Sequence, residues 1–189
     1  MKIFLTNQEK NLDTHLHELM SCKVMEFDRN KLTAKTSIEQ LTTRKSLNEI
    51  DLNFFFNYFI FPSNVMVHKT QWAIENRSMR IGDTIVQQVF IPPLKEISQK
   101  IIFGVRINSI IREPRRVGFS YETLEGHVER GESTFTIEEE EGQLLFKIRT
   151  FSKPATFLTR LLGPVFSVPY QAYCTRKALQ NVKSRISIG

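Results

Sequence analysis

The sequence predicts an α+β fold. An antiparallel sheet of about six to seven strands curves around a long C-terminal helix, with additional helices at the N-terminus. Three observations predict it. From Asn64 to Ile148 apolar residues recur with a period of two, strand after strand, with turn residues between them. Before that region the dominant spacing is helical, with one strand set into it. After Pro154 the spacing turns helical again, interrupted at Gly163-Pro164 and Pro169.

In chain order, Asn7 to Met20 reads as a helix through Leu12, Leu16 and Leu19. Lys31 to Leu41 alternates through Leu32, Ala34 and Ile38 and supplies a first strand. Ser46 starts a helix at Leu47, Glu49 completes a capping box, and Pro62 stops it after Ile50, Leu52, Phe55, Phe56 and Phe59. Asn64 to Glu75 then reads as one strand, with Met66, His68, Thr70, Trp72 and Ile74 on a face. Gly82-Asp83 turns the chain into Thr84–Ile91, which Pro92-Pro93 ends. Ile101 to Ile111 follows, then a strand with Val117, Phe119, Tyr121 and Thr123 on one face. A hairpin closes the series: Ser133, Phe135 and Ile137 face Leu144, Phe146 and Ile148, with Glu138 to Gly142 as its tip. Thr156 to Leu162 and Ser167 to Lys183 supply the terminal helices. Short turns between consecutive strands predict a meander. With no linker or repeat, residues 1–189 read as one domain, 1–30 being an N-terminal helical extension.

Composition narrows the classes. The 189 residues carry a net charge of +6 with a pI near 9.4, spread along the chain. This reads as a solvated basic surface capable of weak contact with acidic surfaces. No zinc-finger spacing or RNA-binding motif stands behind it, so nucleic acid is not an expected partner. Cys22 and Cys174 are far apart and give neither a disulfide framework nor a thiolate metal site. No signal-peptide core is legible, and the apolar run Phe54 to Phe61 is too short for a transmembrane segment. A soluble, cytoplasmic protein is the expectation. There is no phosphate loop, GxSxG, HExxH or dinucleotide fingerprint, so no cofactor is expected, and kinase, hydrolase and Rossmann readings have no support. Fifteen phenylalanines point to an aromatic interior, either filled or walling a cavity.

The densest polar stretch is Thr123-Leu124-x-Gly126-His127-x-Glu129-x-Gly131-Glu132, followed by Phe151-Ser152-x-Pro154-Ala155. It resembles the signature of an uncharacterised domain-of-unknown-function family in the SRPBCC superfamily, whose members are START-like and pollen-allergen-like. The usual pattern has a glycine before the threonine and prolines flanking Gly126-His127, where Glu122, Glu125 and Val128 stand here. The resemblance implies a helix-grip (START-like) fold, with the C-terminal helix across the sheet's concave face and an apolar cavity between them. It implies no activity.

Within that frame the period of two sets Glu129, Gly131, Ser133, Phe135 and Ile137 on one inward face, with His127 sharing their parity. Tyr121 and Thr123 share the inward face of the preceding strand. The expected ligand-binding set is Tyr121, Thr123, His127, Glu129, Phe135 and Phe146. It would hold a hydrophobic small molecule, lipid- or isoprenoid-like, with its polar end at the hydroxyl, imidazole and carboxylate. No catalytic residue is assigned and no metal site is read. An alternative is a cyclase- or hydratase-like enzyme pairing His127 with Glu129 or Tyr121 as acid and base. Another is a protein or membrane interaction module built on Arg176, Lys177, Lys183 and Arg185. Against all three stands a purely structural role, in which the glycines serve turns, His127 and Glu129 bond to turn backbone, and Glu132 pairs with Lys147 or Arg149. His68 and Trp72 read as core, Arg106 and Arg112 as surface, and Glu138–Glu141 as a solvated tip.

Overall fold

The computed structural model describes residues 2–91, 98–155 and 168–187. Its strands are β1 (Lys2–Phe4), β2 (Thr33–Leu41), β3 (Met66–Thr70), β4 (Thr84–Ile91), β5 (Gln99–Glu113), β6 (Arg116–Thr123), β7 (Glu129–Glu140) and β8 (Gln143–Pro154). Its helices are α1 (Leu12–Met20), α2 (Asn53–Phe56), α3 (Gln71–Ile74) and α4 (Val168–Ser187). All the strands pair antiparallel in one sheet, ordered β2-β8-β7-β6-β5-β4-β3. The fold is thus α+β, dominated by an eight-stranded antiparallel sheet with a C-terminal helix. β1 fills the edge of β5 that β6 does not reach, pairing Lys2 with Ile102. The register of β5 and β6 shifts between Ile107 and Ser109, a bulge of the kind that bends a strand.

The period of two sorts the sheet into two faces. On the inner face Ile85, Val89, Ile101, Phe103, Val105, Ile107, Phe119, Phe135, Ile137, Phe146 and Ile148 join one core. α4 completes it with Ala178, Val182 and Ile186, spaced four apart on one helical face. Asn181 fastens α4 further by donating to the carbonyls of Phe59 (3.0 Å) and Ile60 (2.8 Å). α1 packs Leu12 and Leu16 on the opposite face, against Val67, Val86, Phe90 and Ile102. Arg106 closes the end of α1, its Nη2 donating to the carbonyls of Leu19 and Met20. It is therefore a clamp between sheet and helix rather than a surface residue.

Several elements differ from the sequence reading. The run Asn64 to Glu75 is not one strand: β3 ends at Thr70, whose Oγ1 accepts the Ala73 N–H and starts α3. Trp72 consequently lies on a helical turn, and its Nε1 donates to Asn57 Oδ1. The helix expected from Leu47 to Pro62 is broken in two. Ser46 and Glu49 do form their reciprocal bonds, but only around a 3-10 turn, Leu47–Glu49. Asp51 then accepts the Asn53 N–H at the start of α2, and Tyr58 ends the region with φ of 65°. The first helix begins at Leu12, after a 3-10 turn at Glu9–Asn11. β1 was not foreseen, because three residues give no usable period. Proposed helical residues 156–162, Pro92-Pro93, Gly163-Pro164 and Ser167 lie outside the described residues.

The hairpin is longer than expected. β7 and β8 pair down to Glu140 and Gln143, leaving Glu141-Gly142 as a two-residue turn with φ of 49° and 76°. Positive φ at both positions is the type I′ turn that matches strand twist. Glu138 is consequently not part of a solvated tip: its carboxylate meets Lys147 (2.8 Å) and Arg116 (3.1 Å) across the sheet. That engagement, chiefly the bond with Lys147 opposing its burial, holds the carboxyl below its usual range. Glu132 pairs with Arg29 at 2.8 Å instead of Lys147 or Arg149, since the register sets it opposite Phe151.

Candidate functional site

The turn between β6 and β7 sets the geometry of the signature stretch. His127 N–H donates to the Leu124 carbonyl at 3.0 Å, and Gly126 takes φ of 83° at the third position of that turn. A positive φ at the third residue is the mark of a type II turn, which glycine suits. β7 then begins, and Gly131 lets it approach β8 closely. A Cβ on Gly131 would sit 1.9 Å from the Phe151 carbonyl oxygen. Thr123 locks the junction from β6, its Oγ1 accepting the Gly131 N–H at 3.0 Å. Thr123 is buried, with its hydroxyl committed to backbone.

His127 is likewise turned to backbone. Its Nδ1 lies 2.9 Å from the Glu129 amide nitrogen and 3.0 Å from the Glu129 carbonyl oxygen, so either tautomer of the ring engages that backbone. The ring lies edge-on to Phe103, with centroids 4.2 Å apart. Burial pushes its pKa down to about 3, so the ring is neutral at pH 7. The Glu129 carboxylate points elsewhere, accepting from Gln171 Nε2 on α4. The imidazole and the carboxylate of these two neighbours therefore do not form a bonded pair.

What the inner face does bring together is a line of hydroxyls and amides. Gln87 stands on β4 between the buried Ile85 and Val89, and its Nε2 donates to the Tyr58 hydroxyl at 2.6 Å. The Tyr121 hydroxyl has the Tyr58 and Ser133 hydroxyls and the Gln87 amide as its polar neighbours. Burial raises the Tyr121 pKa, and the nearby Glu129 carboxylate adds to that rise. Burial also holds the Tyr58 hydroxyl well above its usual pKa. The cluster thus runs Gln87–Tyr58–Tyr121–Ser133, with Glu129 and Gln171 at its helix-facing end. Sequence reading found Tyr121 and Glu129 but missed Gln87, Tyr58 and Gln171. A glutamine at an inward strand position was the legible signal for the first of these.

Phe135 and Phe146 are 1% and 0% exposed and form the apolar wall behind the cluster. Phe135 stacks on Phe119 at 5.4 Å and touches Tyr121 at the same distance, while Phe146 meets Phe55 at 6.0 Å. Among the described residues this part of the interior is packed ring on ring. Two open surface depressions, at Asn7, Glu9 and Lys10 and at Arg115, Glu139 and Gln143, lie away from the cluster. Among the described residues no group of three or more His, Cys, Asp or Glu converges as a metal site. No helix there is long and apolar enough to cross a membrane.

The basic residues of α4 are largely engaged within the fold. Lys183 pairs with Glu39 at 2.5 Å, Lys177 lies over the Tyr173 ring, and Arg185 lies over Phe54. His68 is half-buried beside the core, its Nε2 3.2 Å from the Asn57 carbonyl and its ring edge-on to Tyr58. Burial lowers its pKa to about 4.

Fold and site together define an α+β domain with a helix across one face of an antiparallel sheet and a hydroxyl-rich cluster beneath it. The chain belongs to the family described as Domain of unknown function (DUF1990), whose model matches residues 63–181. It is 39% identical over 61 residues to a protein of Deinococcus radiodurans named UPF0548 protein. That match takes in 32% of this chain and 31% of that protein, so about a third of the relative's length is spanned. Among solved structures, protein Ms6760 from Mycobacterium smegmatis superposes with a TM-score of 0.53 at 10% identity. The superposition covers 88% of this chain and 99% of that one. A solution structure of a protein from Arthrobacter aurescens gives 0.51 at 9% identity, covering 87% and 91%. At such identities these two likenesses concern the fold alone.

Proposed function

We propose that the protein binds a hydrophobic small molecule, lipid- or isoprenoid-like, under α4, with the molecule's polar end at Tyr121, Ser133, Glu129 and Gln171. The observation that carries this reading is the convergence of hydroxyls, amides and a carboxylate from three strands, the α2–β3 connection and α4 inside an aromatic interior. Buried polar groups cost stability unless satisfied, and a line of them ending at the sheet–helix seam suits a ligand's polar group. Phe119 and Phe135 stack on each other, and Phe146 and Phe119 both pack on Phe55, so the ligand's apolar body lies against these rings rather than among them. A helix-grip, START-like assignment belongs to the same reading, since that arrangement leaves binding space between helix and sheet. An acid–base role for His127 has less support, because its Nδ1 is committed to backbone.

All four tyrosines lie in the cluster or on α4, which makes them suitable reporters. In protein labelled with 3-fluorotyrosine, a total lipid extract should shift the fluorine resonances of Tyr121 and Tyr58, assigned through Tyr→Phe variants. Resonances that stay unmoved across the extract would sink the proposal.

A further inference from the structure

Arg130 sits inside the signature stretch, between Glu129 and Gly131, and the inner-face cluster leaves it unused. The alternation of β7 puts Arg130 on the face opposite to Glu129. The register of β7 with β8 sets it directly across from Lys153. Residues so paired hold their Cβ atoms about 4.5–5.5 Å apart, where like charges destabilise the sheet. Both residues are half-buried. Arg130 Nε is sealed from solvent with no partner. Among the described residues neither the guanidinium nor the Lys153 ammonium makes a hydrogen bond or ion pair. Arg106 Nε is sealed too, yet its Nη2 donates to two carbonyls at the end of α1. Arg130 has no such outlet.

The next rows of the same face extend the positive character. Phe151 is flanked by the guanidiniums of Arg29 at 4.1 Å and Arg149 at 4.8 Å. The facing carboxylates are Glu132, already bound to Arg29, and Glu122 across from it on β6. No carboxylate of the described residues reaches Arg130 or Lys153 within ion-pair distance.

A cross-strand pair of cations, one of them partly desolvated, is costly in the absence of a counter-charge. We propose that Arg130 and Lys153 form an anion site for a phosphoryl group. The planar guanidinium fork matches two oxygens of a tetrahedral anion, and the ammonium supplies a point charge to a third. The group is either a free phosphate or the phosphate of an anionic lipid headgroup. The site is on the far face from Tyr121 and does not depend on the ligand proposed there.

The direct readout is the side-chain Nε–H resonance of Arg130, assigned by its loss in Arg130→Gln. It is titrated with inorganic phosphate, sodium chloride holding the ionic strength constant. Sedimentation with phosphatidylglycerol vesicles, against phosphatidylcholine alone, forms the second arm. The site predicts a saturable shift with phosphate, or sedimentation with the anionic vesicles, weakened at least tenfold in Lys153→Met. A phosphate response identifies the free anion, and a vesicle response alone identifies the headgroup. Removing the repulsion should also make Lys153→Met melt about 1–3 °C higher than wild type in phosphate-free buffer. No response to either probe beyond the controls, or responses that survive intact in Lys153→Met, would overturn the proposal.

Discussion

His127 and His68 each carry a neutral ring that burial keeps from protonating, with pKa values near 3 and 4. In the unfolded chain both would titrate near 6.5. Below that pH the unfolded state takes up protons that the folded state refuses, so stability falls as pH drops through the window between the two values. The melting temperature should therefore decline from pH 7 toward pH 4.5, and His68→Gln and His127→Gln should each flatten the decline. A profile identical in wild type and both variants would show that neither ring is held neutral. Sequence alone placed Glu129 inward and His127 beside it, and both residues do sit at the turn. It could not show that the imidazole engages the backbone of residue 129 rather than its carboxylate. That choice depends on the turn at Gly126, two residues of backbone geometry that no spacing encodes. Tyr58 was hidden for a different reason. It is one hydroxyl in a run of phenylalanines, and its left-handed backbone (φ 65°) reverses the helical direction that the run suggests.

The β7–β8 hairpin shows what two glycines do at the scale of an element. Gly142 has φ of 76° with nothing within 4 Å of a built Cβ, so Gly142→Ala should cost only about 1 kcal/mol of backbone preference. Gly131 combines φ of 150° with the Phe151 carbonyl 1.9 Å from a built Cβ. Gly131→Ala must push the two strands apart, and a loss of at least ~2 kcal/mol in denaturant unfolding is expected. Equal costs for the two variants would contradict the close approach. The strands of this hairpin were legible because one face is apolar without interruption, from Phe135 to Ile137 and from Leu144 to Ile148. Asn64–Glu75 misled because Met66, His68, Thr70, Trp72 and Ile74 keep a period of two through a point where the Thr70 side chain caps a helical turn. Alternation counts apolar positions and is blind to a hydroxyl that captures a backbone N–H.

Across the whole molecule, the meander from β3 to β8 follows chain order, and the short turns from β5 to β8 made that part of it readable. The closing pair was not readable: β2 joins β8, with Leu41 opposite Leu144, across more than half the chain. The aromatic web beneath α4 depends on that closure, and Phe119 lies within it, meeting Phe55, Tyr58 and Phe135. Phe119→Ala should cost about 3–5 kcal/mol, because the surrounding rings cannot collapse into the space. A cost under ~1 kcal/mol would mean the interior is not packed as described. The central claim is that the polar line from Gln87 to Gln171 serves a ligand and is not merely a satisfied core network. Native mass spectrometry of freshly purified protein, before and after organic extraction, tests it most directly. A discrete adduct is expected that extraction releases and that is lost in Tyr121→Phe and Glu129→Gln variants that remain folded. A bare mass in wild type, or an adduct indifferent to both substitutions, would contradict it.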